Sequence, residues 1–519
     1  MTSKKLLFFM LLVSFASKAQ LADSIFLNEN SFHKSVYNQL WESPVFFTNQ
    51  QFSNFTQTEI SFSQKDLNLK RVQTALKTNV YNFSTQGLFN VKPKLKIFGD
   101  FNVSKVFEQD LGYNFTSQRT ENQNVLNPNY FYAPKKGDWE IQNYALKAGL
   151  SYQFENNILF GITSFYDNGR YFRKTDPRPE IEASNFGGKI HAGYNLKNHS
   201  LFFRGGVSQK TEKNSIIYMD DTQNAPVYPE TFTRFSNGYG RSMFNSNYTN
   251  NIFRTIDNNF GGGYQFQNQK NSISVDYNYS RSMENFYGRS ANGRVYIDED
   301  LISYKYKVIS NVVNANYFLQ GNSIDYKLGF SFDQTQGDNY SVIEKGQNFR
   351  MNLDKFSFRS GIFKKENNRV LYSFEVNGNY ADHKYVDLLG STNKQLTALE
   401  IQTSFNRDVI YDKKNKLNFE VALTYYKALD EKLLYTAIST SSNSFAENVI
   451  FPDHAFDITS KLLSTANAQY FLKLPKSKTL RIFANYSTLF ALDKEYLYYA
   501  EEFDPNYSTN FKVGIAVIY

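Results

Sequence analysis

From about residue 52 to Tyr519, apolar and polar side chains alternate with a period of two, the signature of β-strands with one apolar face. In SIDYKLGFSFD (323–333), Ile324, Tyr326, Leu328, Phe330 and Phe332 share one face, and Asp325, Lys327, Gly329, Ser331 and Asp333 share the other. KLNFEVALTYY (416–426) splits the same way, with Leu417, Phe419, Val421, Leu423 and Tyr425 against Lys416, Asn418, Glu420, Ala422 and Thr424. No stretch of useful length follows the helical period of 3.6. Such a chain must build sheet, and must find a place for the apolar face of every strand.

The connections between strands alternate in length. Short ones fall at 91–93, 155–157, 197–199, 267–271, 320–322, 364–368, 408–416 and 473–478. Long ones fall near 65–79, 108–140, 167–184, 210–257, 284–303, 334–349, 382–394, 428–457 and 492–506. Tight turns at one end and long loops at the other are the habit of transmembrane β-barrels. The spacing predicts an all-β, single-chain, antiparallel transmembrane barrel of about 18 strands, within a range of roughly 14–18, over residues 51–519. An even count puts both termini on the periplasmic side, with short turns there and long loops outside. The last strand, STNFKVGIAVIY, ends on an aromatic, Tyr519, as outer-membrane barrels commonly do.

Residues 1–19 read as a secretory signal peptide: Lys4 and Lys5, an apolar run from Leu6 to Phe15, then Ser17 and Ala19 before a cleavage site at Gln20. Without that leader the net charge falls from +8 to +5, because Lys4, Lys5 and Lys18 leave with it. So small a surplus on a chain of 519 residues does not make a nucleic-acid partner. A mean hydropathy of −0.52 excludes a bundle of membrane helices. An aromatic content of 17% excludes disorder, and the absence of cysteine excludes disulfides and thiolate chemistry.

The face opposite the aromatics is charged. Lys147, Asp325, Lys327, Arg359, Glu375, Glu420 and Arg481 lie on it, and we take them as candidate lumen residues. A soluble sandwich would turn these positions to water. A barrel turns them inward and its aromatics to lipid. Their mixed signs suggest cross-strand pairing.

The chain resembles a Bacteroidota outer-membrane β-barrel family of unassigned activity. The resemblance rests on GDWEIQNYALKAGLSYQF (137–154) and on KTDPRPEIE (174–182), whose Asp176, Pro177, Arg178 and Pro179 match a D-P-R-P stretch. Near the N-terminus Trp41 is present, but only Asn49 remains of the small-residue turn that follows it in the family. The resemblance implies an outer-membrane location and a large barrel, and it implies no reaction.

Each local motif also has a plainer reading. Asp176 and Arg178 form either a constriction in the lumen or a rigid proline turn, and the turn is favoured. His454 beside Asp453 lacks a nucleophile, so no enzyme is expected. Asp220–Asp221 and Asp298–Asp300 lack spaced calcium-loop ligands, so neither metal nor cofactor is expected. Tyr228, Phe232, Phe235 and Tyr239 form either an aromatic ligand surface or part of a girdle. Residues 20–50 form either a luminal plug or a periplasmic docking segment. The function expected is a channel or transporter for an unidentified solute in the outer membrane. The alternative is a non-conducting subunit of a secretion, uptake or assembly complex. Expected partners are outer-membrane lipid, lipopolysaccharide and envelope-complex proteins.

Overall fold

A computed structural model describes residues 54–119, 126–244, 250–288, 296–366, 369–412, 414–475, 478–493 and 507–519. The leader at 1–19 and the segment 20–50 lie outside them. The first strands are β1 (Phe55–Leu67), β2 (Lys77–Lys92), β3 (Leu95–Leu111), β4 (Asn129–Tyr132), β5 (Gly137–Gln153), β6 (Ile158–Arg173) and β7 (Arg178–Leu196). Next come β8 (His199–Ile217), β9 (Arg234–Asn237), β10 (Ser242–Phe244), β11 (Asn250–Gln267), β12 (Asn271–Tyr287), β13 (Ile302–Gln320) and β14 (Ile324–Ser341). The remainder are β15 (Phe349–Glu366), β16 (Arg369–Asp387), β17 (Thr392–Ile410), β18 (Asn415–Tyr435), β19 (Lys461–Leu474), β20 (Lys478–Ala491) and β21 (Tyr507–Ile518). Two short α-helices, α1 (Thr440–Phe445) and α2 (Phe451–Ile458), joined by a π-helical turn (Ala446–Ile450), lie between β18 and β19.

Eighteen strands form one antiparallel sheet that closes on itself, because β1 pairs with β2 (Phe55↔Leu88) and with β21 (Gln57↔Ile518). The expected fold and strand count are therefore observed. The other three strands, β4, β9 and β10, form a small separate sheet built from two long loops. All short turns lie at the end where β1 starts and β21 stops, and all long loops lie at the other.

The alternation reverses polarity part-way along the strands. On β7 the outward row runs Tyr194, Ala192, Ile190, Gly188 and Phe186, then Ser184, Glu182 and Glu180 toward the loop end. On β14 it runs from Tyr326 through Phe332, then Gln334, Gln336 and Asp338. The inward row does the opposite. It is polar near the turns and apolar near the loops, where Trp139, Ile141, Ile181, Phe253, Phe286 and Tyr304 are buried. About nine residues per strand thus make an apolar outer band, which at ~3.4 Å per residue and a ~45° tilt is about 20–25 Å tall. Beyond it the wall is polar outside and packs an apolar core inside.

That core is made by loops folded inward. Phe131 of β4, Phe235 of β9, and the wall residues Phe286 and Tyr304 pack as tilted rings at centroid distances of 4.9–5.8 Å. Phe445 of α1 meets Tyr132 at 5.1 Å. The wall is lowest at β19, β20, β21 and β1, and there Phe456 of α2 and Leu69 pack against Leu489 and Ala491. The helical loop fills the gap left by the shorter strands.

Candidate functional site

The lumen and the cap that closes its loop end make the candidate site. Within the apolar band, the inward-facing Lys327, Arg359, Glu375 and Glu420 are electrostatic neighbours on β14–β18, and Asp100 and Lys147 lie opposite each other on β3 and β5. Asp325 pairs with Lys365 at 2.6 Å. Arg481 pairs with Glu59 at 2.6 Å, and Lys512 reaches the same carboxylate at 3.4 Å. Asp325, Lys327 and Glu375 are buried, whereas Arg359 is exposed although it faces inward, so open space lies before it. Seven of the candidate residues thus face the interior of the barrel. Asp176 and Arg178 sit elsewhere, at the loop end, with Arg178 on the same side of β7 as the exposed Phe186 and Ile190. Arg178 Nε donates to Asp176 Oδ1 at 2.6 Å, and Met219 N donates to Oδ2 at 2.9 Å. The D-P-R-P stretch is a braced turn with a cis Asp176–Pro177 bond.

Residues 231–240 are buried without exception, in a hairpin held by a polar nest. Asp387 Oδ2 accepts from the backbone N–H of Tyr239 (2.8 Å) and of Arg241 (3.2 Å). Its Oδ1 accepts from Asn348 Nδ2 (2.9 Å) and Gly390 N (2.8 Å). Asn348 also donates to Asn237 O at 2.8 Å. Gly238 and Gly240 both adopt φ of +135°, which only glycine takes freely. Phe232, Phe235 and Tyr239 are therefore cap core, not a surface for ligands, and only Tyr228 of that set is exposed.

The helical loop is anchored by Asp457. Arg71 Nη2 donates to its Oδ1 at 2.6 Å and Lys394 Nζ to its Oδ2 at 2.5 Å, while Tyr426 Oη donates to its backbone carbonyl at 2.7 Å. The three charged side chains are at most 11% exposed. Burial by itself would raise the Asp457 carboxyl, but Arg71 and Lys394 outweigh it and bring it down to about 2. One turn earlier, Asp453 Oδ1 accepts from Val72 N at 2.8 Å. Burial dominates there, opposed by Arg71, and pushes that carboxyl up to about 6. His454 bonds Glu431 at 3.1 Å.

The two aspartates respond to pH in opposite senses. The folded cap favours the acid form of Asp453, so its contribution to stability is present below pH ~4 and is lost as pH rises to about 6. Asp453→Asn removes the buried charge and keeps an acceptor for Val72. It is expected to stabilise the cap at pH 7 by about 1–3 kcal/mol, read as slower hydrogen exchange across 451–458. Faster exchange in that variant would contradict this account.

Asp220 and Asp298 cap single 3-10 turns through the backbone N–H of Thr222 and Asp300. Among the described residues no group of three or more His, Cys, Asp or Glu is placed to hold a metal ion.

No curated protein matches the chain in sequence. Among solved structures it is similar to the siderophore receptor PiuA from Acinetobacter baumannii, at 10% identity over 90% of this chain and 82% of that chain, with a TM-score of 0.37. It is similar also to the ferric-catecholate import receptor Fiu from E. coli K12, at 8% identity over 91% and 82%, with a TM-score of 0.39. A third is the ferric yersiniabactin uptake receptor FyuA from Yersinia pestis, at 7% identity over 90% and 79%, with a TM-score of 0.39. These likenesses are too distant to carry a substrate to this chain. Residues 44–519 match the model of a family of unknown function, DUF6850, and the chain belongs to that family.

Proposed function

We propose that this protein is an outer-membrane transporter, a channel for a polar solute whose lumen is closed at rest by the inward-folded loops. The observation that carries the reading is the reversal of polarity along the strands. An apolar outer band of bilayer height around a charged interior suits a membrane channel, and a barrel of this strand number is wide enough to hold water. The short turns and both termini then face the periplasm, and the cap faces outward. The leader at 1–19 exports the chain, and residues 20–50 serve as a plug at the periplasmic side. The ion-paired lumen favours hydrated solutes carrying both charges or none, because a strongly charged solute meets its own sign on the wall.

Planar-bilayer recordings test this. Wild-type barrels are expected to give rare, small openings. A variant lacking 20–48, with 438–459 replaced by a Gly-Ser linker of about twelve residues to span the gap, is expected to give long, large ones. If that variant inserts and stays silent, the transport reading is wrong and a non-conducting assembly role takes its place.

A further inference from the structure

Where the outer face turns from apolar to polar, the bases around much of the wall pair with a carboxylate on a neighbouring strand: Lys77 with Asp66 at 3.5 Å, Lys105 with Glu140, Arg170 with Glu180, and Arg350 with Asp338 at 2.9 Å. β7 places Glu180 and Glu182 near Arg178, and β15 places Asp354 near Arg350. Four adjacent strands differ. On β8, β11, β12 and β13 the outward face bears Lys213, Arg254, Arg281, Lys305 and Lys307 and no carboxylate. The acids of these strands all point inward: Glu212, Asp276 and Glu284 are at most 8% exposed, and Asp257 accepts from the buried Ser208 at 3.1 Å. β13 has no acidic residue at all.

The register brings the five bases together, with Lys213 at the edge of the group, across from Glu182 of β7. Arg281 lies across from Ile309, two positions after Lys307, while Arg254 and Lys305 both lie across from Asn285. With ~4.8 Å between strands and ~6.8 Å between alternate residues, the bases fall in one patch roughly 15 by 20 Å. Arg254 Nη2 donates to the neutral Gln209 at 2.6 Å. Asp338 on the flanking β14 is shared between Lys307 at 3.8 Å and Arg350 at 2.9 Å. Directly below, the exposed Phe203, Phe260, Tyr277 and Val313 belong to the apolar band.

We propose that this patch binds the phosphates of an anionic lipid, with the acyl chains against the aromatic wall beneath. The inference rests on the reading that the apolar band lies in a bilayer. Guanidinium groups hold phosphate oxygens in pairs, and bases at the band's upper edge stand at headgroup height. A free phosphate would gain the charges but not the apolar wall, so the lipid is the better fit.

The barrel, inserted in phosphatidylcholine vesicles doped with bisphosphorylated lipid A, is extracted in mild detergent, and retained lipid is counted by native mass spectrometry. Wild type is expected to keep lipid A in preference to phosphatidylcholine and to a dephosphorylated analogue. The variant Arg254→Gln/Arg281→Gln/Lys305→Gln should lose retention on the order of a hundredfold, at about fivefold per base near an anionic surface. It should still insert into pure phosphatidylcholine. A control, Lys77→Gln/Lys105→Gln/Lys384→Gln, removes three bases elsewhere on the wall and should retain lipid like wild type. Equal retention by wild type and the first variant, equal loss in the control, or displacement by millimolar inorganic phosphate each overturns the lipid site. A wild-type barrel that enters no vesicle overturns the membrane reading instead.

Discussion

Asp457→Asn is expected to unlatch the helical loop. The substitution keeps shape and one acceptor but leaves Arg71 and Lys394 buried together without a full counter-charge. Breaking a buried pair from one side costs about 3–5 kcal/mol, which raises the open population by roughly two to four powers of ten. Hydrogen exchange across 440–458 should accelerate by that order, and a protease should gain access to the loop. In a background lacking 20–48, where the cap alone limits current, channel opening should become frequent. Acid should imitate the substitution. The Asp457 carboxyl titrates near 2 when folded, against about 4 for a free aspartate, so its stabilisation is complete above pH ~4 and is lost between there and 2. Replacing all three members of the cluster by apolar side chains of similar volume should restore closure, because no uncompensated charge remains. Wild-type exchange and conductance in Asp457→Asn would show that the aromatic packing holds the loop without the latch.

The barrel was legible because its determinants are local. Alternation and loop length are read along the chain, and each strand repeats them. The reversal of polarity was equally present: Ser184, Glu182 and Glu180 continue the row of Ile190 and Phe186, while Ile181 and Ala183 continue the row of His191. A reading that assigns each strand one apolar face treats that switch as noise, although it marks where the apolar band ends. The turn at Asp176–Pro179 was legible because two prolines and an aspartate act within a few residues. The cap was not. Asp457 meets Arg71 across 386 positions, and Asp387 meets Tyr239 across 148. No pattern in either loop names its partner. Phe232, Phe235 and Tyr239, which read as either an aromatic ligand surface or part of a girdle, carry one further signal. Aromatics beside Gly-Tyr-Gly in a long loop are too apolar for a solvated excursion and call for a buried hairpin.

That hairpin gives the sharpest steric test. Gly238→Ala must fail twice: φ of +135° is strained for any side chain, and the new Cβ would collide with Asp387 Oδ2. The carboxylate cannot withdraw, because the same oxygen holds the N–H groups of Tyr239 and Arg241, and its twin holds Asn348 and Gly390. Either the hairpin leaves the nest or Asp387 gives up its bonds, and each lost bond to a buried carboxylate costs about 1.5–3 kcal/mol. Undocking is therefore expected, at a cost on the order of 4 kcal/mol or more once backbone strain is added. Tyr239 would then lose its stack on Tyr385, now at 5.3 Å, and should become reactive to a phenol-modifying reagent that spares it in wild type. The barrel wall should survive, because its ladders are made without the hairpin, so heat-modifiable migration of the folded barrel on gels should remain. Gly378→Ala is the matched control, since no atom stands within 4 Å of its added Cβ. Unchanged Tyr239 protection in Gly238→Ala would mean that the nest yields, and that the hairpin is held by its aromatic core alone.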